Sequence, residues 1–223
     1  MKYLYFPSID STNSYCKRNY ESLPDSTLVY TYHQTQGKGR LGRRWEDDEG
    51  SLLFSILLKK NLLEERVPLL SLLCSSALHL SLREENISSL IKWPNDVLIR
   101  DKKVSGILLE SIISDKLDAL ILGIGINVNN KEFPLDIKKK ATSLFLETGR
   151  MFDKETFLKN YVSHFEKLYS DYLVGKDTFL TILKENSYLD GKQVCLNYYG
   201  EDKKGVVLGI KENGNLLLRG KDG

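Results

Sequence analysis

Apolar runs that follow one another through short charged breaks constrain this chain more than any other feature. VLIRDKKVSGILLE, residues 97–110, sets two such runs around a turn at Asp101 and Lys102, the pattern of a β-hairpin. A third run, 119–128, follows a polar break at Ser114-Asp115-Lys116 and predicts a second hairpin. Strands joined this tightly pair antiparallel, which disfavours a doubly wound parallel sheet. Within and beyond these runs, strands are predicted at 28–33, 51–58, 89–93, 97–100, 103–111 and 119–128. VPLLSLLCSSALHLSL, residues 67–82, is shorter than a membrane span and broken by serines and a histidine. It reads as a buried helix to about Glu85, with Pro68 in its first turn, covering one sheet face. The expected class is α+β: a mixed, largely antiparallel sheet covered by helices.

The polar cluster Asp10-Ser11-Thr12-Asn13 caps a short first helix. After Asp153, the spacing of Phe157, Tyr161, Phe165, Leu168 and Tyr172 keeps a helical period that Gly175 ends, and a further helix is expected over 178–185. From Gly191 the texture changes to three short strands separated by Gly, Asn and Asp turn signals, read as a small β-barrel module. So short a segment makes a poor core by itself, so it is expected to pack on the rest. Its turn-like end, residues 220–223, brings no closing strand, so the module is expected to be incomplete. The division is a main domain over 1–186 and this module over 187–223.

QTQGKGRLGRRW, residues 34–45, spaces Gly37, Gly39 and Gly42 as G-x-G-x-x-G. A dinucleotide loop needs a helix directly after the glycines, and here a polar turn over 46–50 leads to another strand. No Gly-Lys-Ser/Thr ends the loop as a Walker A motif requires. Lys38, Arg40, Arg43 and Arg44 would suit a phosphate track, but four acidic residues at 46–49 follow at once, and the net charge is only +2. A solvated charged hairpin is one remaining reading. The other is a mobile loop whose backbone N–H groups and Arg forks hold a small anionic group. The three cysteines, Cys16, Cys74 and Cys195, lie far apart and fit reduced thiols in the cytoplasm, while the three histidines show no metal-ligand spacing.

Ile91-Lys92-Trp93-Pro94-Asn95-Asp96 packs a cation, an aromatic ring and polar side chains into a strand end; Lys103-Val104-Ser105-Gly106 brings a further lysine. Gly123 and Gly125 alternate along an apolar strand, leaving one face bare for something to lie against. Taken in order, STN at 11–13, QTQGKGRLGRRW, KWPNDV, KVSGILLE and GIGINVN resemble the biotin protein ligase family over about residues 8–146, with looser similarity to its C-terminal SH3-like module after Lys192.

That resemblance implies the class II aminoacyl-tRNA synthetase-like catalytic fold and an enzyme that joins biotin to ATP, giving biotinyl-5'-AMP and pyrophosphate. Biotin then passes to a lysine of a biotin carboxyl carrier domain. By motif position, Ser11, Thr12, Asn13 and Gln34 bind the biotin head group, and Lys38, Gly39 and Arg40 close over it. Gly106, Gly123 and Gly125 give close backbone approach. Arg40, Lys103 and Lys92 are the candidate catalytic cations, with Lys103 on the reacting carboxylate and phosphate. Arg43, Trp45, Asn95 and Asn127 are nucleotide candidates, Trp45 packing on adenine or serving the core or lid. Asp96 is either a Mg²⁺ ligand or a turn residue. Family members that act as repressors carry a winged helix before STN, and only seven residues precede Ser8, so no DNA partner is expected. No membrane partner is expected either, and an exposed sheet edge leaves a homodimer open.

Overall fold

The computed structural model describes residues 1–46, 49–198 and 200–220. The main sheet has seven strands in the order β1 (Lys2–Tyr5), β2 (Thr27–Thr31), β3 (Ser51–Leu58), β7 (Leu117–Asn127), β6 (Lys102–Ile113), β5 (Asp96–Ile99) and β4 (Leu90–Lys92). β1 and β2 run parallel; all other neighbours are antiparallel, as the hairpins predicted. The first hairpin turns at Arg100 and Asp101, one residue earlier than expected, and both have positive φ, 47° and 66°. Consecutive left-handed residues give the I′ geometry whose twist matches paired strands. Among the described residues, no α-helix stands between the G-x-G-x-x-G glycines and β3; a 3-10 turn at Arg40–Gly42 leads on towards that strand. Asp47 and Asp48, part of the acidic turn read from the sequence, lie outside the described residues.

The helices are α1 (Thr12–Asn19), α2 (Leu69–Glu84), α3 (Leu144–Thr148), α4 (Lys154–Leu173) and α5 (Thr178–Glu185). Side chains alternate across a strand. Leu52, Phe54, Ile56 and Leu58 of β3, with Leu120, Leu122, Ile124 and Ile126 of β7, share a core with α2, α4 and α5. Burying each such side chain stabilises by about 1.5–3 kcal/mol, so this face holds the domain together. On the other face, Leu57, Ala119 and Ile121 meet Cys16 of α1 with Leu23 and Val29 in a much smaller cluster. The strip of that face around Leu53, Ser55, Gly123 and Gly125 is therefore available for a site.

The expected small barrel is an open antiparallel sheet among the described residues, ordered β10 (Leu216–Arg219), β9 (Glu201–Ile210), β8 (Gln193–Tyr198). Three strands leave two edges unpaired, so closure is out of reach. Residues 221–223, where the turn-like end was read, lie outside the described residues. The sheet packs on the main domain as expected. At the β9–β10 turn, Gly214 O accepts from Trp93 Nε1 at 2.9 Å. A Cβ on Gly214 would come within 2.6 Å of Leu69 Cδ2, and its φ is +81°. Gly214→Ala therefore meets both a backbone and a packing penalty. It should lower unfolding free energy by about 1–2 kcal/mol in urea titration, with faster proteolysis of the C-terminal strands.

Candidate active site

The parallel pairing of β1 with β2 continues beyond both strands: Ile9 bridges Gln34, Thr35 N donates to Ile9 O at 2.9 Å, and Gln36 N to Asp10 O at 2.8 Å. The two chain segments thus leave the sheet side by side, one entering α1 and the other the glycine-rich loop. Ser11 caps α1, its Oγ accepting from Ser14 N at 3.4 Å. Thr12 N donates to Gln34 Oε1 at 2.7 Å. Asn13 rests on the backbone of Gly123, where a Cβ would overlap its amide. Asn13 Nδ2 donates to Glu110 Oε2 at 2.7 Å, and Ser55 Oγ lies 2.5 Å from Asn13 Oδ1 and 2.7 Å from Thr12 Oγ1. Thr12, Asn13 and Gln34 are therefore one hydrogen-bonded cluster through Ser55, and Ser11, buried like them, stands beside it as the cap of α1.

A second set gathers farther along the same face. β5 pairs with β6 through Val97–Ser105 and Leu98–Lys103, so Val104 is an extra residue in β6. The bulge shifts the side-chain phase and brings Lys103 to the face of Gly106, against regular alternation. A Cβ on Gly106 would lie 2.8 Å from Lys103 Nζ. That ammonium pairs with Asp96 Oδ1 at 2.7 Å. Asp96, Gly106, Gly125 and Leu53 form one register row across β5, β6, β7 and β3, next to the row of Leu108, Gly123 and Ser55. The glycines give the two rows a low floor.

The glycine-rich loop folds over this floor as a small hairpin, Trp45 N donating to Gly37 O at 3.1 Å and Gly39 N to Arg43 O at 2.8 Å. Leu41 at its tip has φ 58° and is 89% exposed. Arg40 Nη1 donates to Asn95 Oδ1 at 2.7 Å, and Asn95 Nδ2 to Ile107 O at 3.0 Å, so the KWPND turn holds the loop down. Trp45 lies on Gly125, where a Cβ would come within 2.7 Å of the indole, and 5.7 Å separates Lys103 Nζ from its ring centroid. Its indole N–H is buried without a hydrogen-bond partner among the described residues. The cavity left between the head-group cluster and Trp45 is about 30 Å³, lined by Ser11, Thr12, Asn13, Gln34, Lys38 and the glycines. That is room for a water or two, not for a bicyclic acid.

The remaining candidates divide. Asn127 is buried and donates to Thr142 O at 3.0 Å, supporting the segment beside Lys103. Lys92 is exposed, with Nζ 5.8 Å from the centre of the Tyr188 ring, and Arg43 is exposed; neither lines the cavity. Ser55 and Glu110 were missed in the sequence. The available signal was Ser55 as the polar interruption of SLLFSILL, paired with Gly123. Burial pushes the Cys16 and Cys74 thiols up to about 12, so neither is a thiolate at neutral pH. Burial also lowers His79, a residue of the α2 core. Among the described residues, no group of three His, Cys, Asp or Glu could hold a metal. What the site offers is a neutral polar cluster at one end and the Lys103 ammonium at the other, with Lys38 on the cavity lining.

The profile of the biotin/lipoate A/B protein ligase family matches residues 5–127. The chain belongs to this family. The matched region contains every residue of the site from Ser11 to Asn127. The bifunctional ligase/repressor BirA of Bacillus subtilis is 36% identical over 206 residues, 90% of this chain and 63% of that protein. The chain thus spans less than two thirds of that relative. The biotin--[acetyl-CoA-carboxylase] ligase of Paracoccus denitrificans is 31% identical over 96% of this chain and 92% of its own length. A solved structure of Aquifex aeolicus biotin protein ligase in complex with biotin and ATP matches with a TM-score of 0.90 and 32% identity, covering 100% of this chain and 93% of that one.

The contact between Arg40 and Asn95 sets the loop's closure. Asn95→Ala should speed hydrogen exchange at the Gly39 and Trp45 amides about tenfold, while core β7 amides keep their protection. Equal exchange in both proteins would mean that the hairpin closes on its own hydrogen bonds.

Proposed function

We propose that this chain is an ATP-dependent biotin protein ligase. The observation that carries the reading is the low glycine floor joining two unlike ends: the Ser11–Thr12–Asn13–Gln34 cluster, matched to a neutral ureido ring, and Lys103 with Arg40, matched to anions. The carboxylate of biotin is already ionised at neutral pH. One of its oxygens bonds to the α-phosphorus of ATP while the bond to the bridging oxygen breaks, releasing pyrophosphate and leaving biotinyl-5'-AMP. A lysine amine of the carrier domain then attacks the acyl carbon and AMP departs. Neither step requires a protein nucleophile, which agrees with the buried, protonated thiols. Alignment and charge stabilisation are the protein's share.

Lys103 would exchange its Asp96 partner for the reacting carboxylate and phosphate. Asp96, the carboxylate beside it, would hold a Mg²⁺, which would supply further charge neutralisation there. Arg40 holds the loop over a mixed anhydride that water would destroy. Trp45 would have to leave Gly125 to admit the acid, and adenine is the flat partner for its indole. The acceptor is a biotin carboxyl carrier domain. A second copy could add at the outer edge of β1, which has no strand neighbour among the described residues.

Labelled pyrophosphate should exchange into ATP only when biotin is present, and lipoate should not replace it; no exchange with biotin would end the ligase reading. Arg40→Gly should release biotinyl-5'-AMP to solvent about tenfold faster, read by chromatography of free adenylate. Biotin should also shift tryptophan emission. The shift should persist in Trp93→Phe and vanish in Trp45→Phe if the indole leaves the glycine floor.

A further inference from the structure

Ser55 and Glu110 stand behind the residues that line the cavity, and neither lines it. Their contacts fix which way the lining amides point. A backbone N–H can only donate, so the end of the Gln34 amide that meets Thr12 N at 2.7 Å is its oxygen. A carboxylate and a carbonyl can only accept, so Asn13 turns Nδ2 to Glu110 Oε2 at 2.7 Å and to Leu108 O at 3.4 Å. The other end, Oδ1, then faces Ser55 Oγ at 2.5 Å. Ser55 has one hydrogen for two contacts, and since Asn13 Oδ1 cannot donate, the hydrogen goes there. Thr12 supplies its own hydrogen to the 2.7 Å contact with Ser55, in preference to its longer 3.2 Å contact with Gln34. The chain of bonds therefore has one direction, from the Thr12 hydroxyl through Ser55 and Asn13 to the Glu110 carboxylate.

Direction decides what Asn13 can still offer. Both hydrogens of Nδ2 point to protein acceptors, whereas Oδ1 retains a lone pair. We propose that Glu110 and Ser55 are positioning residues that hold Asn13 as a hydrogen-bond acceptor towards the ligand, selecting a ring that presents an N–H over one that presents none. The inference rests on the biotin reading of the site. A cyclic urea supplies that N–H; the dithiolane ring of lipoate has none and would leave the Asn13 oxygen desolvated without a partner. A site built to pair a polar group rejects an analogue lacking it more strongly than an apolar pocket rejects a difference in size. Within a family whose name spans biotin and lipoate, these two residues assign the choice to the polarity of a buried network.

The test uses the full chain in biotin-dependent pyrophosphate exchange. Glu110→Gln puts a group that can also donate opposite Asn13 and lets its amide invert; Ser55→Ala removes the donor from the other end. Each should raise the KM for biotin about tenfold while kcat at saturating biotin and the KM for ATP stay within about twofold. Asn13→Asp should also raise the KM for biotin. An unchanged KM for biotin in Glu110→Gln or Ser55→Ala overturns the inference, as does a fall in kcat alone. If the Glu110 variant does not fold, Ser55→Ala decides by the same readout. Absence of exchange in the unmodified protein would instead defeat the ligase reading from which this one starts.

Discussion

Asn13 can lie on the sheet only because residue 123 has no side chain, and much of the molecule follows from that contact. β7 is buried on both faces. On one, Leu120, Leu122, Ile124 and Ile126 complete the core under α2 and α4. On the other, Gly123 and Gly125 make room for an amide and an indole. A side chain at either glycine would lift α1 or the glycine-rich loop off the sheet, separating the head-group cluster from Lys103. Because neighbouring strands are in register, the same bare strip continues through Gly106 of β6. The site is thus a property of the sheet, with α1 and the loop laid onto it.

Energetics decide how readily the loop that covers the site can open. The Lys103–Asp96 pair is partly exposed, 37% and 24%, and pairs of that kind are worth about 0–1 kcal/mol. Exchanging Asp96 for an incoming anion costs the ammonium little, but Asp96 Oδ1 is itself buried and then needs another cation. The buried indole N–H of Trp45 has no partner among the described residues, a penalty of about 1–3 kcal/mol that weakens the closed arrangement. Glycine adds to this, since ordering Gly37, Gly39 and Gly42 loses more backbone entropy than other residues would. The hairpin is closed but shallowly so, held by Arg40 on Asn95 and by its own backbone bonds.

Strands and most helices were legible because their side-chain periods are written in the sequence: β3 spans Ser51–Leu58 and the short α5 Thr178–Glu185, as read. β1 and α3 were not legible. β1 is only KYLY with a mostly exposed pattern, and α3 is five residues held by the Ser143 cap, too short in each case for a period to show. Missing β1 mattered, because its parallel pairing with β2 is what places Ser11 beside Gln34. The motifs named the residues of the site but not their partners. The bulge at Val104 that swings Lys103 over Gly106, and the contact of Arg40 with Asn95, depend on long-range register that no local pattern encodes.

The two ends of the site solve different problems with different chemistry, and their separation is itself a constraint. A buried charge must be paired or it costs several kcal/mol, so a cation beneath a neutral ring would weaken binding rather than direct it. The sheet meets this by placing hydroxyls and amides, whose demands are satisfied by one another, beneath the ring. The carboxylate that Asn13 donates to, that of Glu110, stays partly exposed, outside the cavity. Lys103 stands at the opposite rim, where it is 37% exposed, and Lys38, which lines the cavity, is exposed as well. On the proposed reading, a cyclic urea would be recognised by the direction of hydrogen bonds, which salt does not screen, and the reacting groups would be held by charge, which strengthens as the loop excludes water.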